Sequence, residues 1–122
     1  MKKIFAYMYD RRGSFDEVCY EGIDYINYSF GLIDNGVLSI KHLEHFDDIV
    51  KMERSFGIIL SIGGWGADGF SDAVLTKESR ELFINSIIDV VKKYSLDGID
   101  LDWEYPGISG AGTKCREEDT PN

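Results

Sequence analysis

The sequence is short of the residues that punctuate and cross-link a chain. Two prolines, Pro106 and Pro121, occur in 122 residues, so there is no Pro-rich linker. Two cysteines, Cys19 and Cys115, lie far apart, with no CxxC spacing and no Cys/His cluster. That excludes a disulfide-dense scaffold and reads as two free thiols in a reducing compartment. No apolar run approaches the roughly 18 residues of a membrane span. The start, MKKIFAYMYDRRG, has two lysines and then an apolar run of about six residues, short of a signal-peptide core and without a small-residue cleavage site. The cytoplasm is the expected location, with the extracellular space as the alternative if a leader lies upstream. Cations are also scarce: 13 Lys and Arg stand against 22 Asp and Glu, a net charge of −9. Nucleic acids and anionic membranes need a basic face, so neither is an expected partner. A neutral or cationic ligand is compatible. Only the last stretch, GTKCREEDTPN, has a composition that suggests disorder.

What is present is a repeated pattern of apolar runs and amphipathic stretches. KIFAYMY (Lys3–Tyr9), YINYSFG (Tyr25–Gly31), GIILSI (Gly57–Ile62) and GIDLDW (Gly98–Trp103) read as strands. Continuous apolar runs separated by helical segments predict a parallel sheet covered by helices. The strongest helix is Thr76–Ser95, with Thr76 as N-cap and Phe83, Ile87, Val90, Val91 and Tyr94 on one face. A second is predicted over Leu43–Phe56 and a short first one over SFDEV, residues 14–18, capped by Ser14. Asn35-Gly36, inside Leu32–Ile40, signals a hairpin that extends the second strand. The resulting α/β order admits two closures, a doubly wound open sheet or part of an eight-stranded barrel. Periodicity does not choose between them.

The fourth strand carries the chemistry. SLDGIDLDWEYPG, residues 95–107, places Asp97, Asp100, Asp102 and Glu104 in an otherwise apolar run. Strand side chains alternate, so Asp100, Asp102 and Glu104 share one face and Ile99, Leu101 and Trp103 the other. Successive acids are about 7 Å apart by strand rise. Glu104 comes last, at the carboxyl end where parallel α/β proteins place their sites. Asp97 is out of phase and is expected to cap the turn before Gly98. Three close acids cannot all ionise freely, so one proton is shared or held. Such a row suits general acid work at Glu104, with Asp102 passing or accepting a proton. The alternatives are surface acids on an edge strand, or a carboxylate site for Mg²⁺ or Ca²⁺, for which the row is too linear.

The third strand ends in LSIGGWGADGF. A phosphate loop would need Lys and Ser/Thr after the glycines, and Trp65 stands there instead. Gly63 and Gly64 let the backbone turn sharply or approach a ligand closely. Trp65, just past the strand's carboxyl end, can stack on a sugar ring; a core tryptophan is the alternative.

Together, DGIDLDWEYP and SIGGW resemble the two motifs of glycoside hydrolase family 18, the chitinases, in the family's order and spacing, and INYSFGLI resembles its second strand. The resemblance covers the whole chain. It implies a partial TIM (β/α)8 barrel made of roughly the first four βα units. It further implies hydrolysis of β-1,4-linked N-acetylglucosamine in chitin or its oligosaccharides, with retention and without a cofactor or metal. The mechanism it implies is substrate-assisted, one of the exceptions to the two-carboxylate scheme. Glu104 would protonate the glycosidic oxygen, Asp102 would hold the substrate N-acetyl N–H, and Asp100 would exchange a proton with Asp102. Tyr7 and Ser61 would support Asp100. Phe30, Gly63, Gly64, Trp65 and Tyr105 would line the sugar floor. A non-catalytic sugar-binding relative, or a hydrolase acting on peptidoglycan or the N-glycan core, remains as the alternative. A full barrel takes about 250 residues. Residues 1–122 are therefore expected to be the N-terminal half of a catalytic barrel, ending in the loop after the fourth strand. Alone, that half is expected to be inactive and to self-associate.

Overall fold

The computed structural model describes residues 2–10, 15 and 18–120. Among the described residues, five strands and three helices follow in chain order: β1 (Phe5–Tyr9), β2 (Tyr25–Asp34), β3 (Val37–Ser39), α1 (Phe46–Lys51), β4 (Gly57–Gly63), α2 (Phe70–Ala73), α3 (Lys77–Tyr94) and β5 (Gly98–Asp102). The predicted helix over 14–18 lies largely outside the described residues. No helix among the described residues is long and apolar enough to cross a membrane.

The ladder decides the closure that periodicity left open. The strands add in chain order, β1-β2-β4-β5, each parallel to its neighbour. A doubly wound sheet reverses direction at a switch point; a barrel does not. The sheet is therefore an arc of a barrel. Asn35 and Gly36 both adopt positive φ, +50° and +80°, and form the two-residue turn that folds β3 antiparallel onto β2.

Alternation sorts the side chains. Ile26 and Tyr28 of β2 and Ile58, Leu60 and Ile62 of β4 are buried on the helical side, with Phe46 and Ile49 of α1 and Phe83 of α3. Each such side chain contributes about 1.5–3 kcal/mol by leaving water. The opposite face carries Tyr7, Asn27, Ser61 and Asp100. The apolar side of β5 is less covered than its pattern suggests. Leu101 is 58% exposed, because β5 is an edge of this sheet.

Two aspartates set the strand starts. Asp24 Oδ2 accepts the Ile4 N–H and Asp97 Oδ2 accepts the Ile58 N–H, each at 2.8 Å. Asp97 is thus structural, as its phase implies, but it ties β5 to β4 rather than closing the turn before Gly98.

Helix α1 is much shorter than the predicted Leu43–Phe56. Its late start is set by Asp10, which follows β1 and is 4% exposed. Its carboxylate accepts the N–H groups of Glu44 (2.9 Å) and His45 (3.0 Å) and the Tyr28 hydroxyl. These bonds hold the two residues that precede the helix, which begins at Phe46, and Met52 leaves it in extended conformation. Burial opposes the charge on Asp10, but the Tyr28 hydroxyl and the two N–H groups outweigh it and hold the carboxyl below its usual range. A group shifted this way stabilises the fold above its unfolded pKa of about 3.9, and that stability is lost as pH falls through the folded value. In the full-length protein, Asp10→Ala is expected to cost about 3 kcal/mol, because three donors lose their acceptor. A shift in the urea midpoint measures it. Asp10→Asn should flatten the acid limb of stability; an unchanged limb would assign that limb to other carboxylates.

The C-terminal stretch is not disordered where it is described. Asp119 is buried and binds Ser71, and Lys114 and Arg116 pair with Asp72. Composition alone missed this docking.

Candidate active site

Asp100 is the hub of the polar face. The hydroxyls of Tyr7 and Ser61 both donate to its Oδ2 at 2.7 Å, and the Asn27 amide lies 3.4 Å from the same oxygen. The sheet register brings them together, since Ser61 pairs with Asp100 and Tyr7 pairs with Asn27. Asn27 is buried, and its Oδ1 has no hydrogen-bond partner. Sequence reading missed Asn27, although Asn27 and Ser29 are polar residues in phase within an apolar strand. The hydrogen bond to Asp100, then burial and the Asp100 charge, hold the Tyr7 phenol above its ordinary value.

Asp102 closes β5, two residues beyond Asp100 on the same face, and is half-buried. Burial first, then the charges of Glu104 and Asp100, push its carboxyl above the usual range. Glu104 lies two residues past the end of β5, on the loop rather than the strand, so the strand is shorter than the predicted Gly98–Trp103. Its carboxylate, by hydrogen bond and charge, raises the neighbouring Tyr105 phenol. Among the described residues, no three His, Cys, Asp or Glu side chains converge as a metal shell.

These causes give a test. Replacing Glu104 by a neutral isostere removes the second of the three influences on Asp102. In Glu104→Gln the Asp102 pKa should therefore move down, read by carboxyl ¹³C shifts across a pH titration of the full-length protein. An unmoved Asp102 would show that its environment is set by burial and Asp100 alone.

A groove of about 790 Å³ opens beside the acids, walled by Tyr9, Phe30, His42, Gly64, Trp65 and Asp68 among others. The acids themselves do not line it; Gly63 joins the two regions. Gly63 pairs with Asp102, the Gly64 N–H donates to the Asp102 carbonyl at 2.9 Å, and a Cβ on Gly63 would sit 2.2 Å from that oxygen. Here the close approach permitted by glycine is to β5. Phe30 lies at a register shift in β2, with its ring against Gly64 and edge-on to Tyr9. His42 Nε2 is 2.8 Å from the Phe30 carbonyl. Tyr9 and His42 were not singled out by the sequence. Trp65 is 67% exposed and meets Tyr105 edge-on at 6.5 Å, so it is not a core tryptophan. Trp65 and Tyr105 together form an aromatic rim between groove and acids.

The profile of glycosyl hydrolases family 18 matches residues 3–120. Chitinase A1 of Niallia circulans is 48% identical over 83 residues, which is 66% of this chain and 12% of that protein. The chitinase domain of the spore coat protein CotE from Clostridium difficile superposes with a TM-score of 0.87 at 36% identity, covering 98% of this chain and 35% of that one. Human YKL-39, described as a pseudo-chitinase with retained chitooligosaccharide binding, superposes at 0.65 with 29% identity, covering 84% of this chain and 33% of its own. The chain thus spans about a third of each of these two solved relatives.

Proposed function

The chain belongs to the glycosyl hydrolases family 18, and from that premise we propose that its protein hydrolyses β-1,4-linked N-acetylglucosamine in chitin or its oligosaccharides. The observation that carries this reading is the graded acid row. Asp100 is fixed by two hydroxyls, Asp102 is held toward its protonated form, and Glu104 stands free of the strand beside the aromatic rim.

The chemistry follows from that gradient. Glu104 gives its proton to the glycosidic oxygen as the bond breaks. The substrate's own N-acetyl carbonyl attacks the anomeric carbon from the other side and forms an oxazolinium ion. Asp102 accepts a hydrogen bond from the N-acetyl N–H and offsets the growing positive charge. Asp100, beneath it, exchanges a proton with Asp102 as that charge develops. Tyr7 and Ser61 hold Asp100 in place. Trp65, Phe30 and Tyr105 offer ring faces to the sugar, and Gly63 and Gly64 bring the groove wall close to the acids. Water then displaces the carbonyl oxygen from the anomeric carbon and returns a proton to Glu104, so that two displacements give net retention.

YKL-39 motivates a second reading, oligosaccharide binding without catalysis. Glu104 is present in this chain, and non-catalytic relatives typically lack that terminal acid, so hydrolysis is favoured. The test is a substrate panel of chitin oligosaccharides, peptidoglycan and N-glycoproteins offered to the full-length protein, with proton NMR of the first product. Cleavage of the chitin series with the β-anomer formed first is expected. Binding without cleavage would support the second reading. Cleavage of another panel member would change the substrate, and the α-anomer first would overturn the mechanism.

A further inference from the structure

We propose that α2 and the segment after β5 form a clamp that positions Glu104, with Asp119 and Ser71 as its positioning residues. The proposal rests on the hydrolase reading, because the position of Glu104 matters to its work as an acid.

The chain reaches α2 on both sides of Glu104. Just before it, Trp103 stacks on Phe70, the first residue of α2, with ring centroids 5.3 Å apart and planes 11° from parallel. After a turn the chain returns to the same helix. Asp119 Oδ1 accepts the Ser71 hydroxyl at 2.9 Å, and its Oδ2 accepts the Arg116 N–H at 2.7 Å. Arg116 Nη1 donates to Ser71 Oγ at 2.7 Å, and its Nη2 pairs with Asp72. Lys114 Nζ joins Asp72 at 2.8 Å, while its N–H donates to Asp68 at 3.1 Å. Residue 103 and residues 114–119 are therefore tied to one short helix and the loop before it.

The turn between these anchors presses on Glu104. Gly110 is buried, and a Cβ there would lie 2.5 Å from the Glu104 carbonyl oxygen. Thr113 donates both its N–H (2.9 Å) and its hydroxyl (2.7 Å) to the Gly110 carbonyl, and Ser109 donates to the Thr113 carbonyl at 2.7 Å. The Glu104 backbone thus rests on a hydrogen-bonded turn, and that turn is held by α2.

Asp119 is 6% exposed and takes no part in the proposed reaction. A buried carboxylate is costly unless its acceptors are filled, and both of its oxygens are engaged. It therefore defines one loop position rather than a range of them. For a general acid that position is critical, since a displacement of about 1 Å can cost about a hundredfold.

A leaving-group comparison in the full-length protein separates positioning from stability. Unactivated chito-oligosaccharides need the proton from Glu104; a dinitrophenyl chitobioside departs without it. With Asp119→Ala or Ser71→Ala, kcat on the oligosaccharide should fall about ten- to a hundredfold with KM nearly unchanged, while the activated substrate loses less than about threefold. Asp119→Asn, which keeps one acceptor, should fall between. Equal losses on both substrates, or no loss, would overturn the clamp. If Asp119→Ala does not fold, Ser71→Ala carries the same ratio. Failure of the wild type on both substrates would overturn the hydrolase reading instead. A leaving-group signature in Glu104→Gln that is missing from the Asp119 and Ser71 variants would overturn the clamp alone.

Discussion

Glu104→Gln in the full-length protein will lower the hydrolysis of unactivated chitin oligosaccharides by about 10²–10⁴-fold, the range of a lost general acid. That corresponds to about 2.7–5.5 kcal/mol of transition-state stabilisation. Glutamine keeps the shape of the side chain and can still hydrogen-bond, but it has no acidic proton to give. Sugar affinity should change little, because the aromatic surfaces of Trp65 and Phe30 are separate from the carboxylate. Removing the charge of Glu104 also relieves Asp102, so the pH profile of the residual rate should move toward lower pH on its acid side. Turnover kinetics with isothermal titration of an oligosaccharide test both halves. Undiminished turnover would end the assignment of Glu104 as acid. Loss of binding together with turnover would make Glu104 a ground-state binding residue.

The acid row could be read from sequence because strand alternation is a strict period of two. Asp100 and Asp102 could only share a face; Ser61, paired with Asp100 on the adjacent β4, and Tyr7, on the same face of the more distant β1, both reach the same Asp100 oxygen. The parallel architecture was also readable, because long apolar runs on β2 and β4 need cover on both faces. What could not be read depends on pairings between distant segments. Asp10 looks like a polar residue ending a strand; only the fold brings Glu44, His45 and Tyr28 to it and delays the start of α1. Helix α2 is four residues long and carries no periodic signal of its own, yet it organises the segment after β5. The glycines at the end of β4 were readable as a close approach, but not as an approach to Asp102 and Phe30. The choice between barrel and open sheet was not readable from periodicity; the resemblance of the two motifs made it, and the strand order β1-β2-β4-β5 agrees.

The isolated 122-residue chain will self-associate. Among the described residues its ladder ends in β1 on one side and β5 on the other, and an edge strand presents unpaired backbone groups along its open side. The polar face that bears the acids also exposes Phe5, Tyr7 and Tyr9; on the helical side Leu101, Ile84 and Ile88 are exposed. Parallel sheets are ordinarily covered on both faces, so these surfaces favour a partner, and a second copy supplies matching edges. Net charge opposes this, at −9 for each chain. The opposing forces differ in range and magnitude. At physiological salt, charge repulsion is screened beyond about 8 Å. An interface of ordinary size buries about 1,600 Å² and gains roughly 25 cal/mol for each apolar Å² removed from water. Apolar burial and strand pairing should therefore win, and added salt should deepen association rather than reverse it. Light scattering across a dilution series, at low and high salt, measures this directly. Leu101→Lys places a charge on the exposed side of β5 and should raise the monomer fraction. A monodisperse monomer that unfolds sharply and reversibly would show that four parallel strands and three helices suffice to close this sheet alone.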